Sequence, residues 1–179
     1  MPEKITGKST QCNGIDREAL ESVIDSFRDS QPAEPSRPWR ARVVWKGGFR
    51  ATAHARAFGF DFDEPGLGSE DAAATPVEGL LAALGACLTG AFTLHATRQG
   101  VTIYNLEAVL EGRFGGMRTI VDLGEDATMR ERGIGVKLYV RADADEATLR
   151  EIWRKAKDAS LVTLALSQGM PIDLDLDVV

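Results

Sequence analysis

Thr75-Pro76-Val77-Glu78-Gly79-Leu80-Leu81-Ala82-Ala83-Leu84-Gly85-Ala86-Cys87 decides how this chain is read. Thr75 and Glu78 stand at capping-box spacing, and Pro76 takes the first helical position, where its missing N–H costs nothing. No charge follows until Arg98, and Gly100 stops the helix. Ala82, Ala83, Gly85, Ala86, Gly90 and Ala91 leave little side-chain bulk. The segment therefore predicts a helix buried on nearly all sides and closely approached by other backbone. Near its middle sits Cys87, one of only two cysteines. A thiol there is either an inert core atom or a nucleophile whose reactivity the fold controls.

Strand patterns precede this helix. Trp39, Ala41, Val43 and Trp45 alternate with Arg40 and Arg42, and Gly47-Gly48 marks a turn. Phe49, Ala51, Ala53 and Ala55 continue the period of two, as do Phe58, Phe60 and Phe62. After the helix, strand-like segments fall at Thr102–Arg113, Thr119–Leu123 and Gly133–Ala142. A second long helix is expected from about Asp143, with Glu146 three residues on. Leu149, Ile152, Trp153, Ala156 and Ser160 lie on one face of it, and Gly169 and Pro171 end it. Ile172, Leu174, Leu176 and Val178 alternate with aspartates as a final half-buried strand. The order of strands, helix, strands, helix and strand predicts an α+β fold rather than a doubly wound parallel sheet.

Residues 1–38 read as an appendage and 39–179 as the main domain. Asp16 caps a short helix whose stripe is Leu20, Val23, Ile24 and Phe27. The proline-rich run from Ser30 to Pro38 is a linker.

With 179 residues, 44% of them hydrophobic, the chain is long enough for one well-buried domain. A formal net charge of -6 argues against nucleic acid and anionic membranes as partners. No apolar run is taken to reach the ~20 residues of a bilayer span. The polar N-terminus lacks the apolar core of a signal peptide. Two cysteines are too few for a disulfide framework, so a cytoplasmic location is expected. His54 and His95 have no Cys or His cluster around them, and neither metal nor cofactor is expected.

The run Pro76 to Cys87, followed by His95-Ala96 and Gly100-Val101, resembles the OsmC/Ohr family of osmotically inducible and organic-hydroperoxide-resistance proteins. In element order the likeness covers roughly residues 39–179. It implies an intertwined homodimer, with a β-sheet wrapped around two long central helices. It also implies thiol peroxidase chemistry, in which a first cysteine attacks the hydroperoxide and a second resolves the sulfenic acid. An arginine and a glutamate stabilise the reactive thiolate. Cys87 matches the first cysteine, Glu78 the glutamate and Arg50 the arginine. The second cysteine is absent: the family's Cys-Pro-Val-Ser/Thr segment aligns with Ser160-Leu161-Val162-Thr163, so Ser160 occupies the resolving position. Asn13-Gly14-Ile15-Asp16 looks like the extension of a branch that also lacks the second cysteine.

Each of these residues also has a plainer reading. Cys87 can be a small thiol filling a tight helix contact, and Glu78 a capping glutamate. Arg50 can be an ordinary strand arginine, and His95, two turns beyond Cys87, a packed or hydrogen-bonded histidine. Cys87 is mid-helix, so the N-terminus of its own helix cannot stabilise a thiolate there. A cation is then required, with Arg50 the candidate. Serine forms no disulfide, so oxidised Cys87 needs an external thiol, or Cys12 from a mobile N-terminal arm.

Three functions stay open. The first is a one-cysteine peroxidase of organic hydroperoxides that protects against oxidative stress. The second is a non-catalytic protein binding a small apolar ligand in the dimer cleft. The third is a thiol enzyme acting on an acyl or electrophilic substrate, for which no Cys/His spacing speaks.

Overall fold

The computed structural model describes residues 11–29, 38–114, 121 and 133–178. Nearly all of the proline-rich linker and the strand expected at 119–123 (Val121 apart) lie outside the described residues. The chain divides into two compact units. One comprises the chain up to Glu21, Ala86–Ala108 and Leu138–Val179; the other comprises Ser22–Gly85 and Val109–Lys137.

The first unit opens with a small antiparallel hairpin, β1 (Gln11–Cys12) and β2 (Ile15–Asp16). Asn13 and Gly14 form its two-residue turn, both at positive φ (55° and 74°), as an Asn-Gly turn of this kind requires. The Asn13 carboxamide docks the hairpin. Its Nδ2 donates to Thr97 Oγ1 at 3.0 Å and to the Val101 carbonyl at 2.9 Å, while its Oδ1 accepts from the Ile103 N–H at 2.8 Å. Asp16 Oδ1 then accepts from the Glu18 and Ala19 N–H groups, capping α1 (Arg17–Asp29) as the sequence predicts.

The long helix is α2 (Pro76–Gln99), and Gly100 ends it at φ 73°. At its far end Arg98 grips Glu21 through two nitrogens, at 2.8 and 3.2 Å. Phe92 and Ala96 form the first unit's core with Val101, Ile152 and Ala156. Ile152 and Ala156 belong to α3 (Glu146–Ala159), so the stripe expected there is the buried one. Its cap is Asp145, which accepts from the Thr148 N–H at 2.8 Å. Asp143, expected to start this helix, instead accepts from the Thr102 N–H.

In the second unit, β3 (Arg42–Gly47), β4 (Arg50–Ala55) and β5 (Phe58–Phe62) form an antiparallel meander. Gly47 and Gly48 both take positive φ at the first turn. The Phe62 ring lies where a Cβ on Gly79 would sit, which explains a glycine in the first turns of α2. Two further strands, β6 (Ile103–Arg113) and β7 (Gly133–Ala142), pair with each other; each runs from one unit into the other.

The structure corrects four expectations. The second helix is not continuous: it breaks at Ser160 (φ −77°, ψ 108°), and α4 (Leu161–Gln168) begins there. Residues 172–178 form no strand, and Ile172 and Leu174 are 79% and 90% exposed, because no neighbouring strand offers a ladder to this segment within the described chain. Burial of α2 on nearly all sides is not seen in the single chain, where Ala82, Ala83, Ala86 and Gly90 are exposed. Finally, α2 is long and apolar enough to cross a bilayer by length and composition, its small residues counting as apolar. It is the helix that supplies Phe92 and Ala96 to the packed core.

Candidate functional site

The break at Ser160 builds the site. A new helix start exposes backbone N–H groups without intrahelical partners; here the Ser160 N–H donates to the Lys157 carbonyl at 3.4 Å. The backbone N–H groups of Leu161 and Val162 favour the thiolate of Cys87. The Thr163 N–H donates to Ser160 Oγ at 3.3 Å, and the Leu164 N–H donates to the Ser160 carbonyl at 3.0 Å. Ser160, fully buried, donates its own hydroxyl to Cys87 Sγ at 3.3 Å. The Thr163 hydroxyl donates to Ser160 Oγ at 2.8 Å. Cys87 itself is half-buried.

Burial alone raises the Cys87 thiol. The hydrogen bonds from Ser160, Val162 and Leu161 outweigh it, and the net effect holds the thiol below its ordinary value of 9.0. Neutral donors thus contribute to holding this thiol down, beside any cation. Cys87 is remote from the start of its own helix, but it lies at the start of another, whose N–H groups and dipole favour negative charge.

Cys12 is not on a mobile arm. It is half-buried, and its thiol donates to the Val101 carbonyl at 3.4 Å. Thr97, which the neighbouring Asn13 grips, stands ten residues beyond Cys87, about 15 Å along a helix axis. A disulfide needs Cα atoms within about 7 Å. In this arrangement Cys12 cannot resolve an oxidised Cys87.

Arg50 and Glu78 belong to the other unit. Glu78 Oε2 accepts from the Thr75 N–H and hydroxyl at 2.7 and 3.0 Å, and the Glu78 N–H donates to Thr75 Oγ1 at 3.2 Å. The capping box is complete, and its bonds from Thr75 hold the carboxyl below its ordinary value against a smaller effect of burial. Arg50, at the start of β4, lines a cavity of about 290 Å³ with Lys46, Ala51, Thr52, Asp61 and Phe62. Its charge also reaches Asp63, a buried carboxylate that accepts from the Ser69 hydroxyl and from the Glu64 and Ala72 N–H groups. Asp63 thereby shapes the loop leading to α2.

His95 makes no hydrogen bond through Nε2 among the described residues. That nitrogen is buried. Burial first, then the charges of Arg98 and Lys155, hold its pKa below 6.5. The folded state thus takes up the proton less readily than the unfolded chain, so its stabilisation is complete above pH 6.5 and is lost as pH falls toward the folded value. Denaturation midpoints should decline between pH 7 and 5, and His95→Gln should flatten that decline. An unchanged slope in the variant would remove His95 as the cause.

No group of three or more metal-ligating side chains exists among the described residues. The sequence singled out Ser160 to Thr163 but missed the roles of Thr163 and the two amides. A serine three residues before a threonine, inside a helical pattern, was the available signal.

The fold that carries this site is shared with other proteins. The profile of the OsmC-like protein family matches residues 68–175. The chain belongs to this family. An OsmC-like protein from Mycoplasma pneumoniae superposes with a TM-score of 0.61 at 20% identity, covering 75% of this chain and 90% of that one. An OsmC-like protein of unknown function from Vibrio cholerae gives 0.57 at 14% identity, covering 72% and 93%. These two likenesses show the fold. The organic hydroperoxide resistance protein OhrB of Bacillus subtilis aligns at 0.49 and 22% identity, covering 73% and 93%. No curated protein sequence matches the chain.

Proposed function

We propose that the protein reduces organic hydroperoxides through Cys87 alone and is regenerated by an external thiol. The observation that carries this reading is a half-buried sulfur that accepts from the fully buried Ser160 hydroxyl at 3.3 Å at the start of α4. The Cys87 thiolate attacks the outer peroxide oxygen, and the O–O bond breaks. An S–OH group forms, while the alkoxide leaves and takes a proton from water. A small thiol then displaces hydroxide as water to give a mixed disulfide, and a second thiol releases Cys87. Arg50 and Glu78 enter as the family resemblance assigns them, supporting the thiolate and the peroxide.

The test is intact-mass analysis after one equivalent of organic hydroperoxide. One oxygen added and mapped to Cys87, in both the parent and Cys12→Ser, is expected. An unreactive Cys87 would end this reading and favour the non-catalytic binding of an apolar ligand.

The working form in this proposal is a homodimer. Three surfaces support it: the small-residue flank of α2, the apolar side chains of Val43, Trp45, Phe58 and Phe60, and the unpaired segment at 172–178, all exposed in the single chain. Sedimentation at micromolar concentration should give twice the chain mass of 19.4 kDa, and a monomer there would count against the proposal.

A further inference from the structure

Deepening the peroxidase reading, and resting on it for its biological meaning, we propose that Thr163 is a positioning residue that fixes the direction of the hydrogen-bond chain ending on Cys87. A serine hydroxyl has one proton and two acceptor lone pairs. At Ser160 the Thr163 N–H and the Thr163 hydroxyl both donate to Oγ, at 3.3 and 2.8 Å. Both lone pairs are taken. The remaining function of Oγ is to donate its proton, and Cys87 Sγ is the acceptor 3.3 Å away. Because Ser160 is fully buried, solvent does not compete for that proton.

The chain could run the other way only if the sulfur donated to Ser160 and Ser160 donated to Thr163. The backbone N–H groups of Leu161 and Val162 weigh against that order, since both favour the thiolate, which has no proton to donate. The polarity therefore runs from Thr163 to Ser160 to Cys87. Each step delivers a donor toward the sulfur and so favours its thiolate. A resolving cysteine at position 160 would trap the oxidised sulfur; the serine here holds the reduced sulfur in its reactive form.

The experiment is the rate of iodoacetamide alkylation at Cys87, followed by peptide mapping from pH 5 to 9 on the full chain without hydroperoxide. Thr163→Val keeps the backbone N–H and removes the hydroxyl. Its rate at pH 7 should fall roughly three- to tenfold, the loss of about one hydrogen bond to the thiolate, with the pH profile displaced upward. Thr163→Ser should restore the parent profile. In a Ser160→Ala background, Thr163→Val should add nothing, because the chain is already cut. An unchanged or downward-displaced profile in Thr163→Val, or a full additional effect in the Ser160→Ala background, would overturn the inference. The peroxidase reading fails separately: a parent protein that alkylates rapidly but leaves hydroperoxide intact sinks that reading and leaves the role of Thr163 standing.

Discussion

Ser160→Cys should convert a cysteine that accumulates sulfenic acid into one that closes an intramolecular disulfide. Ser160 Oγ stands 3.3 Å from Cys87 Sγ, and an S–S bond is about 2.05 Å, so the approach needed is about one ångström. The site lies at a helix junction with ψ 108°, where backbone adjustment does not have to bend a continuous helix. After Cys87 becomes S–OH, the introduced thiol attacks its sulfur, and hydroxide leaves as water with the thiol proton. One equivalent of hydroperoxide should then remove two hydrogens from the protein in place of adding one oxygen. Both thiols should disappear together, and a dithiol should restore them. Under excess hydroperoxide the parent should climb to sulfinic acid while the variant resists. The variant gives up the serine cap of α4, at about 1 kcal/mol of stability. A stable sulfenic acid with no crosslink would show that the two positions do not meet productively in solution.

The other large effect is loss of the nucleophile. Cys87→Ser should reduce hydroperoxide consumption to the level of buffer, a fall on the order of 10³-fold or more, because a serine hydroxyl at neutral pH is a far weaker nucleophile than a thiolate. Cys12→Ser should leave consumption at the parental rate, since its thiol is held against the Val101 carbonyl. Denaturation curves for both variants separate a lost reaction from a lost fold. Consumption persisting in Cys87→Ser would place the chemistry elsewhere.

Much of the fold is written in local sequence. The Thr75/Glu78 box and Gly100 bound α2 as expected, because a cap needs only neighbours within one turn. The strands from Arg42 to Phe62 follow the period-two alternation and its glycine turn. What was not legible depends on distant or external partners. Ser160 continues the apolar stripe of α3, so nothing in the periodicity signals the break. There a new helix starts, and the Ser160 hydroxyl reaches a sulfur 73 residues earlier. The segment at 172–178 has the alternation of a strand, but alternation fixes only which face is apolar, not what supplies the ladder. The site was half legible: Cys87 and Ser160 were paired by resemblance, while the donors at the start of α4 depend on a helix break that no local pattern marks.

The docked Asn13-Gly14 turn also gives the protein a chemical clock. An asparagine followed by glycine loses ammonia when the next backbone nitrogen attacks its side-chain carbonyl carbon, forming a cyclic imide that water opens to aspartate or isoaspartate. In this chain both ends of the Asn13 carboxamide are committed, to Thr97, Val101 and Ile103, and cannot turn toward the Gly14 nitrogen without breaking three hydrogen bonds. Once deamidated, the residue would present a carboxylate oxygen to the Val101 carbonyl, where an N–H now donates, and the hairpin would lose its anchor. Ageing at this single position thus reads out how often the N-terminal hairpin lets go.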